Sequence, residues 1–394
     1  MRKNLFSTPL NVVLTLVLGT GIVYLAFLLI RFLMTSNFEI LRVNLALFMV
    51  GSFPHGQLWR VVVAMLLLAV MAGFAGGMLK GAARERSMDA GLAVTETGSA
   101  RAVISWLRRF WPLGLLVIVC LALTRTITPT LVLIAVLALL AASRWLGLHL
   151  SPVPRRVGWV VVTLLPLAAY WILSASGLGW NNWGGFMLNI FLTIAGIIFA
   201  FPIGLALAIG RRSSLPVVRA FSIGYIELIR GVPLITLLLM AVFALGFFLP
   251  RDLRPGGVTR VLVVITIFEA AYIAEVVRGG LQSVPQGQSE AAQSLGLPGR
   301  KITRLIVLPQ ALRATIPAMV GQFISLFKDT TLVAIVGLGD VLAASSFANA
   351  QPQFNAQGLA RITLPFVALA FWAGSYAMSR EARRLERRLG IGER

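Results

Sequence analysis

Eight apolar segments, each about long enough to cross a bilayer as a helix, limit what this chain can fold into. They fall at about residues 10–33, 58–79, 157–176, 185–209, 229–249, 258–278, 315–337 and 358–379. Hydrocarbon offers no water to backbone groups, so each segment is expected to bond its own backbone as a helix. Two further segments, 110–124 and 129–147, read either as two spans or as a re-entrant pair. The expectation is an all-α polytopic membrane bundle of about 10 transmembrane helices, with 8 as the alternative.

Charge sets the orientation. The 394-residue chain is 58% hydrophobic and 12% charged, which no soluble domain of this length matches. Its net charge of +21 would suggest nucleic acid in a soluble chain, but here the arginines cluster beside apolar runs. Basic segments at 1–3, 80–109, 144–156, 211–212, 278–313 and 380–394 all fall on one side if the chain crosses ten times. By the positive-inside rule that side is the cytoplasm, with both termini there. Opposite lie 36–56, 174–185 and 347–357, which carry little positive charge; Arg125, Arg251, Arg254 and Arg260 are exceptions. The first apolar run is too long for a cleaved signal sequence and is expected to remain as a span. Cys120 is the single cysteine, so no disulfide framework or thiolate metal site arises. His55 and His149 alone make a weak case for a metal.

Composition shifts near residue 180. Before it the spans are plain Leu, Val and Ala; after it polar residues within spans become dense. Gly196, Ala200, Gly204 and Ala208 recur every four residues and make one thin helix face, suited to close packing in lipid. Glu227 and Arg230 stand three apart and can pair, and Pro233 should kink the helix that follows. The segment at 258–278 carries Glu269, Tyr272, Glu275 and Arg278. Charges at such depth face protein or a water-filled cavity. Glu275 and Arg278 can pair. Glu269 lies deeper, either bonded to a neighbouring helix or lining a solute pathway together with Tyr272. Lys328 and Asp329 likewise interrupt an apolar run and need partners in the bundle. Gly337, Gly339 and Asp340 mark a break in the helix.

The most regular motif is the polar loop from Glu290 to Pro309. Glu290-Ala291-Ala292, Gly296, Ile306 and Leu308-Pro309 hold fixed positions in it. It reads as two short helices with a corner: Gly296 supplies a left-handed cap, and Leu297-Pro298-Gly299 turns the chain before Arg300 and Lys301. Ala291 and Ala292 let another surface approach the backbone, so the loop reads as a docking element.

Enzymatic motifs are absent. The lysines stand at 3, 80, 301 and 328 and none follows a glycine, so the chain has no phosphate-binding GK[ST] loop. It has no HExxH, no GxSxG and no filter-like motif of a channel. A translocation subunit driven by a partner through the loop remains, with a self-contained secondary transporter or channel as the alternative.

The motifs resemble those of a known family. Glu290-Ala291-Ala292…Gly296…Ile306-x-Leu308-Pro309 is similar to the EAA signature of ABC importer permeases. Arg230-Gly-Val-Pro233-Leu234, Ala271-Tyr272-Ile-Ala-Glu275-Val-Val-Arg278-Gly279-Gly280, Leu308-Pro309-Gln310-Ala311 and Lys328-Asp329-Thr330-Thr331-Leu332 resemble the histidine/polar amino-acid subfamily. The longer first half resembles the long M-type permease subunit of general L-amino acid ABC transporters. The resemblance implies a type I importer permease core of five spans within residues 181–380, with the EAA loop at 285–309. Residues 1–180 would then be an N-terminal transmembrane extension of about five spans, and 381–394 a basic cytoplasmic tail.

It also implies the partners: a second, homologous permease, two copies of a cytoplasmic ABC ATPase that hold the ATP and Mg, and a periplasmic amino-acid-binding protein. No cofactor is expected on this chain, and no catalytic or metal site. Glu290 would pair with a basic group of the ATPase, Ala291, Ala292 and Gly296 would permit a close fit, and Arg300 and Lys301 would make rim contacts. The location implied is the bacterial inner membrane, and the cargo broad-range polar L-amino acids.

Overall fold

The computed structural model describes residues 8–89, 108, 110–124, 126–150, 152–174, 179–248, 250, 254–355, 357–388 and 390. Arg125, Arg251 and most of the expected basic segment at 80–109 lie outside them, as do residues 1–3 and 391–394. The described part is helical. Its helices are α1 (Pro9–Thr35), α2 (Glu39–Val50), α3 (Leu58–Asp89), α4 (Trp111–Leu123), α5 (Thr128–His149) and α6 (Pro152–Ser174). The second half adds α7 (Gly185–Gly210), α8 (Pro216–Gly231), α9 (Leu234–Leu239), α10 (Gly257–Ser283), α11 (Gln286–Ser294) and α12 (Gly299–Ile302). It closes with α13 (Leu308–Asp329), α14 (Val341–Asn349) and α15 (Ala360–Arg388).

Each apolar segment of the sequence falls on a helix, but the helices differ in fitness to cross a membrane alone. Among the described residues, 6 helices are long and apolar enough, or up to 7 if the bent pair Pro216–Gly231 and Leu234–Ala244 counts as one. That pair is bent by 98° at Val232 and Pro233, so the segment at 229–249 is not one straight span. Proline supplies no N–H and disfavours helix in the residue before it, which puts the break there. The 13 residues of α4 reach only about 20 Å, short of the hydrocarbon core. α10 and α13 carry the charges of the polar motifs; α10 is sheltered by the rest of the bundle, whereas α13 is buried along one side only.

Small residues determine how the helices meet. Along α7, Gly196, Ala200, Gly204 and Ala208 are all buried, as the four-residue stripe predicts. A methyl group at Gly204 would come within 2.7 Å of the Ala270 carbonyl oxygen on α10. α10 also packs against α13, where Gly280 lies against Ala311 and Thr315. The α7–α10–α13 layer is therefore in backbone contact, and α10 is its most buried member.

Two groups of earlier helices surround this layer. α3, α5 and α6 form a bundle closed at one end by a bidentate pair, in which Arg155 donates to both carboxylate oxygens of Glu85 at 2.7 and 2.9 Å. The outer segment at 36–56, expected only as a stretch of low charge, contains α2. Its Ile40, Leu41 and Phe48 are buried with Val341 of α14 and Phe366 and Phe371 of α15. The Asn44 and Gln351 amides bond reciprocally across that contact at 3.1 and 2.6 Å. α1 stands apart, with a window of eighteen residues that has 0% of its residues buried inside the protein.

Candidate coupling loop and charge cluster

The loop between α10 and α13 is built from the sequence upward. α11 starts after Pro285 and ends at a complete Schellman turn. There Leu297 N–H donates to Ala292 O at 3.2 Å, and Gly296 N–H donates to Gln293 O at 2.8 Å. Gly296 has φ +73°, the left-handed conformation that glycine adopts without strain. Pro298 then caps α12, and Lys301 N–H closes on its carbonyl at 2.8 Å. The corner is as the sequence predicts. The second short helix differs, because α12 does not end. A π turn at Thr303–Val307 carries it directly into α13. Pro309 has no N–H to return to Leu305, and a wider turn accommodates the gap.

Ala292, Ile302, Val307 and Ala311 are buried in one cluster with Ala274, Val277 and Leu281 of α10. The loop is thus held by its inner side to the ends of α10 and α13. Ile306 and Leu308 pack partly against the same cluster. Its outer side exposes Glu290, Ala291, Gly296, Arg300, Lys301 and Pro309. Of the Glu-Ala-Ala triplet, only Ala292 faces inward. Leu295 and Leu305, 81% and 63% exposed, stand among these charges. Sequence reasoning passed over both, although an exposed leucine beside a cap glycine in so polar a loop was a legible signal.

A charge cluster lies next to the loop, with Glu275 of α10 at its centre. Arg278 donates from Nε to Glu275 Oε2 at 2.9 Å and from Nη2 to Oε1. Arg230, from the end of α8, lies 3.5 Å from Glu275, and Arg211, just past α7, lies 3.7 Å from it. The expected Glu227–Arg230 pair is replaced. Glu227 meets Arg211 at 3.1 Å, and Arg230 turns to Glu275 and over the Tyr272 ring at 5.5 Å. Three-residue spacing allowed the first pair, but a carboxylate on the neighbouring helix offers Arg230 a less exposed partner and an aromatic face. One carboxylate therefore ties together the ends of α7, α8 and α10, one turn before the break at Pro233.

Glu269 is buried between α10 and α13, 1% exposed, and accepts a hydrogen bond from Gln322 Nε2 at 3.1 Å. The bond to a neighbouring helix expected from sequence is present. Tyr272, one turn on, stacks on Phe268 at 4.8 Å. Lys328 and Asp329 end α13, where the helix tightens to a 3-10 turn at Thr330–Ala334. Beyond it the expected break is real. Gly337 has φ +85°, and Asp340 caps α14 by accepting from Ala343 N–H at 2.9 Å.

Asn189 of α7 was not singled out from sequence. It is fully buried and donates to Asp340 Oδ2 at 3.0 Å and to Thr330 Oγ1 at 3.1 Å, and it accepts from Val341 N–H at 3.2 Å. A lone asparagine within an apolar helix was its only signature.

Residues 200–391, which include the loop and the charge cluster, match the family described as binding-protein-dependent transport system inner membrane component. The probable glutamine ABC transporter permease protein GlnP of Bacillus subtilis (strain 168) is 34% identical over 205 residues, covering 52% of this chain and 91% of that protein. This chain belongs to that family of inner membrane transport components. Longer members are also similar. The inner membrane amino-acid ABC transporter permease protein YhdY of Escherichia coli (strain K12) is 41% identical over 239 residues, 59% of this chain. The glutamate/glutamine/aspartate/asparagine transport system permease protein BztC of Rhodobacter capsulatus is 39% identical over 270 residues, 64% of this chain. The chain spans 64% and 62% of those two proteins, less than two thirds of their length. As a permease component, the family is a transport part rather than a catalytic enzyme.

Proposed function

We propose that this chain is the transmembrane permease subunit of an ATP-binding cassette importer that carries polar L-amino acids into the cytoplasm. The observation that carries the proposal is the loop itself. It exposes Glu290, Arg300 and Lys301 around two leucines, and its inner side is fixed to α10 and α13. A surface of that kind fits a groove on a partner protein, entered by α11 as a short helix. The partner is a cytoplasmic ABC ATPase in two copies, which holds the ATP and Mg; this chain holds no cofactor. A second homologous permease and a periplasmic amino-acid-binding protein complete the assembly, in the bacterial inner membrane with both termini cytoplasmic. Residues 181–380 are the permease domain, 1–180 its transmembrane extension and 381–394 its basic tail.

In this reading Glu290 pairs with a basic group of the ATPase. Ala291 and Gly296 allow a close fit, Arg300 and Lys301 meet the rim with Pro309 exposed beyond them, and Ala292, Ile306 and Leu308 seat the loop on the bundle. Closure of the ATPase dimer displaces the loop, and the loop moves α10 and α13 with it. Glu275, Arg278, Arg230 and Arg211 pass that displacement to α7 and to the break at Pro233. A rigid-body swing of packed helices follows. Glu269 and Tyr272 stand behind the solute pathway.

Purification from membranes under mild detergent tests the assembly. An ATPase, a second permease and a solute-binding protein should come with the chain, and Glu290→Ala should lose the ATPase while still inserting. Uptake that persists in cells lacking every candidate ATPase partner would instead mark a self-contained transporter.

A further inference from the structure

The bundle of α3, α5 and α6 carries positive charge that its own acids leave unanswered. Neither α5 nor α6 contains an Asp or Glu. On α3, Glu85 is taken by Arg155 of α6, which donates to both of its oxygens. Arg144 of α5 and Lys80 of α3 are both exposed, and neither has an ion pair or a hydrogen bond among the described residues.

These two cations meet along one side of the α3–α5 seam. Gly77 brings the helices into backbone contact, since a methyl group there would come within 2.2 Å of the Arg144 carbonyl oxygen. Gly76, the next position round α3, leaves room for the Arg144 side chain, whose Nη1 lies 3.1 Å from where a methyl group at Gly76 would sit. Lys80 stands one turn further along the same face of α3. Helical side chains lean towards the N-terminus, which brings its ammonium back towards Gly76 and the guanidinium.

Depth says what answers the charge. Arg144 lies sixteen residues after Thr128, the first of α5, about 24 Å along the axis of a helix long and apolar enough to cross a membrane. That places it near the edge of a hydrocarbon core about 30 Å thick. An unpaired charge is costly at that level, and lipid phosphates are the anions within reach. Towards the membrane centre the same two faces carry Ala72, four residues before Gly76, and Leu137, seven before Arg144. Both are exposed; the alanine keeps the seam shallow and the leucine offers apolar contact.

We propose that this seam binds one anionic phospholipid. Arg144 and Lys80 receive its phosphodiester, and an acyl chain lies along Ala72 and Leu137. The orientation proposed above puts the lipid in the cytoplasmic leaflet. It ties α3 to α5 at the end of the bundle where Glu85 and Arg155 tie α3 to α6.

The test uses the full chain extracted in mild detergent with any partners that accompany it, and native mass spectrometry to count retained lipid. At equal concentration, dioleoyl phosphatidylglycerol should be retained several-fold more than dioleoyl phosphatidylcholine, which has the same acyl chains and no net charge. Arg144→Gln and Lys80→Gln should each lower phosphatidylglycerol retention several-fold, and Arg144→Lys should keep most of it. Arg219→Gln removes an exposed arginine elsewhere on the same side and should change nothing. Millimolar inorganic phosphate should not displace the lipid. Retention unchanged in both Gln variants overturns the proposal, as does equal retention of the two lipids. An equal loss in Arg219→Gln would show attraction by net charge alone, and displacement by phosphate would show a free-anion site; either outcome also overturns it.

Discussion

Gly296 gives the sharpest handle on the coupling loop. Its φ of +73° and two hydrogen bonds, 2.8 Å from its own N–H and 3.2 Å from Leu297 N–H, define the corner that presents α11. Nothing lies within 4 Å of where its methyl group would be, so substitution there is a pure backbone perturbation. Alanine in the left-handed region costs about 1–2 kcal/mol, a factor of about 5–30 in the population of a marginal corner. Asparagine tolerates that region better. Proline is locked near φ −65° and removes the N–H, so it cannot form the corner at all. Binding of the partner ATPase to detergent-solubilised chain should therefore fall in the order Gly, Asn, Ala, Pro. The Gly296→Ala loss should be up to about 30-fold, and Gly296→Pro should abolish ATP-dependent uptake. Membrane levels of each variant serve as the control. Equal affinity across the series, or an asparagine worse than alanine, would show that the left-handed corner is not what the partner reads.

Removing the central carboxylate by Glu275→Gln leaves three arginines facing one another; uptake should drop several-fold at normal membrane levels, and a further Arg211→Gln should restore part of it. Gly204→Leu forces a side chain into the Ala270 backbone and should lower the thermal midpoint in detergent by several degrees, whereas Gly224→Ala, inside α8 with open space around it, should leave it the same or slightly higher. Asn189→Leu removes donors from the buried Asp340 and Thr330 groups and should cost about 1–3 kcal/mol, read by thermal unfolding. Burial holds the Asp340 carboxyl above the usual aspartate range, so the folded protein binds its proton more tightly than the unfolded chain. Its contribution is fullest below the ordinary aspartate pKa and fades as pH rises through the raised one; Asp340→Asn should flatten that part of a stability–pH curve.

Much of this was legible in the sequence because the signals were local. The stripe Gly196, Ala200, Gly204, Ala208 repeats at helical spacing, and it is the face that α10 meets. The αL cap at Gly296 followed from a glycine set just before Leu-Pro-Gly, and the break at Pro233 from proline chemistry. What escaped depends on neighbours far along the chain. Arg230 could have paired with Glu227 on its own helix, and only the approach of α10 gives it Glu275 instead. Asn189 gains its meaning from Thr330 and Asp340, more than 140 positions later. α2 was hidden because it is only 12 residues long, too short to read as a span, and packs on α14 and α15, near the other end of the chain. The continuous run from α12 into α13 turned on a π turn, which no spacing in the sequence announces.

The central claim is that the loop from Glu290 to Pro309 carries another protein's ATP cycle into these helices. It is tested most directly by joining the loop to its partner. In a Cys120→Ser background, Leu295→Cys places a thiol at the most exposed apolar point of the loop. Single cysteines along the groove of the co-expressed ATPase supply the other half of each pair. The account predicts that oxidation yields one cross-linked permease–ATPase species, that uptake stops when it forms, and that reduction restores uptake. Absence of any cross-link across the groove, or full ATP-driven uptake with the cross-link in place, would contradict it.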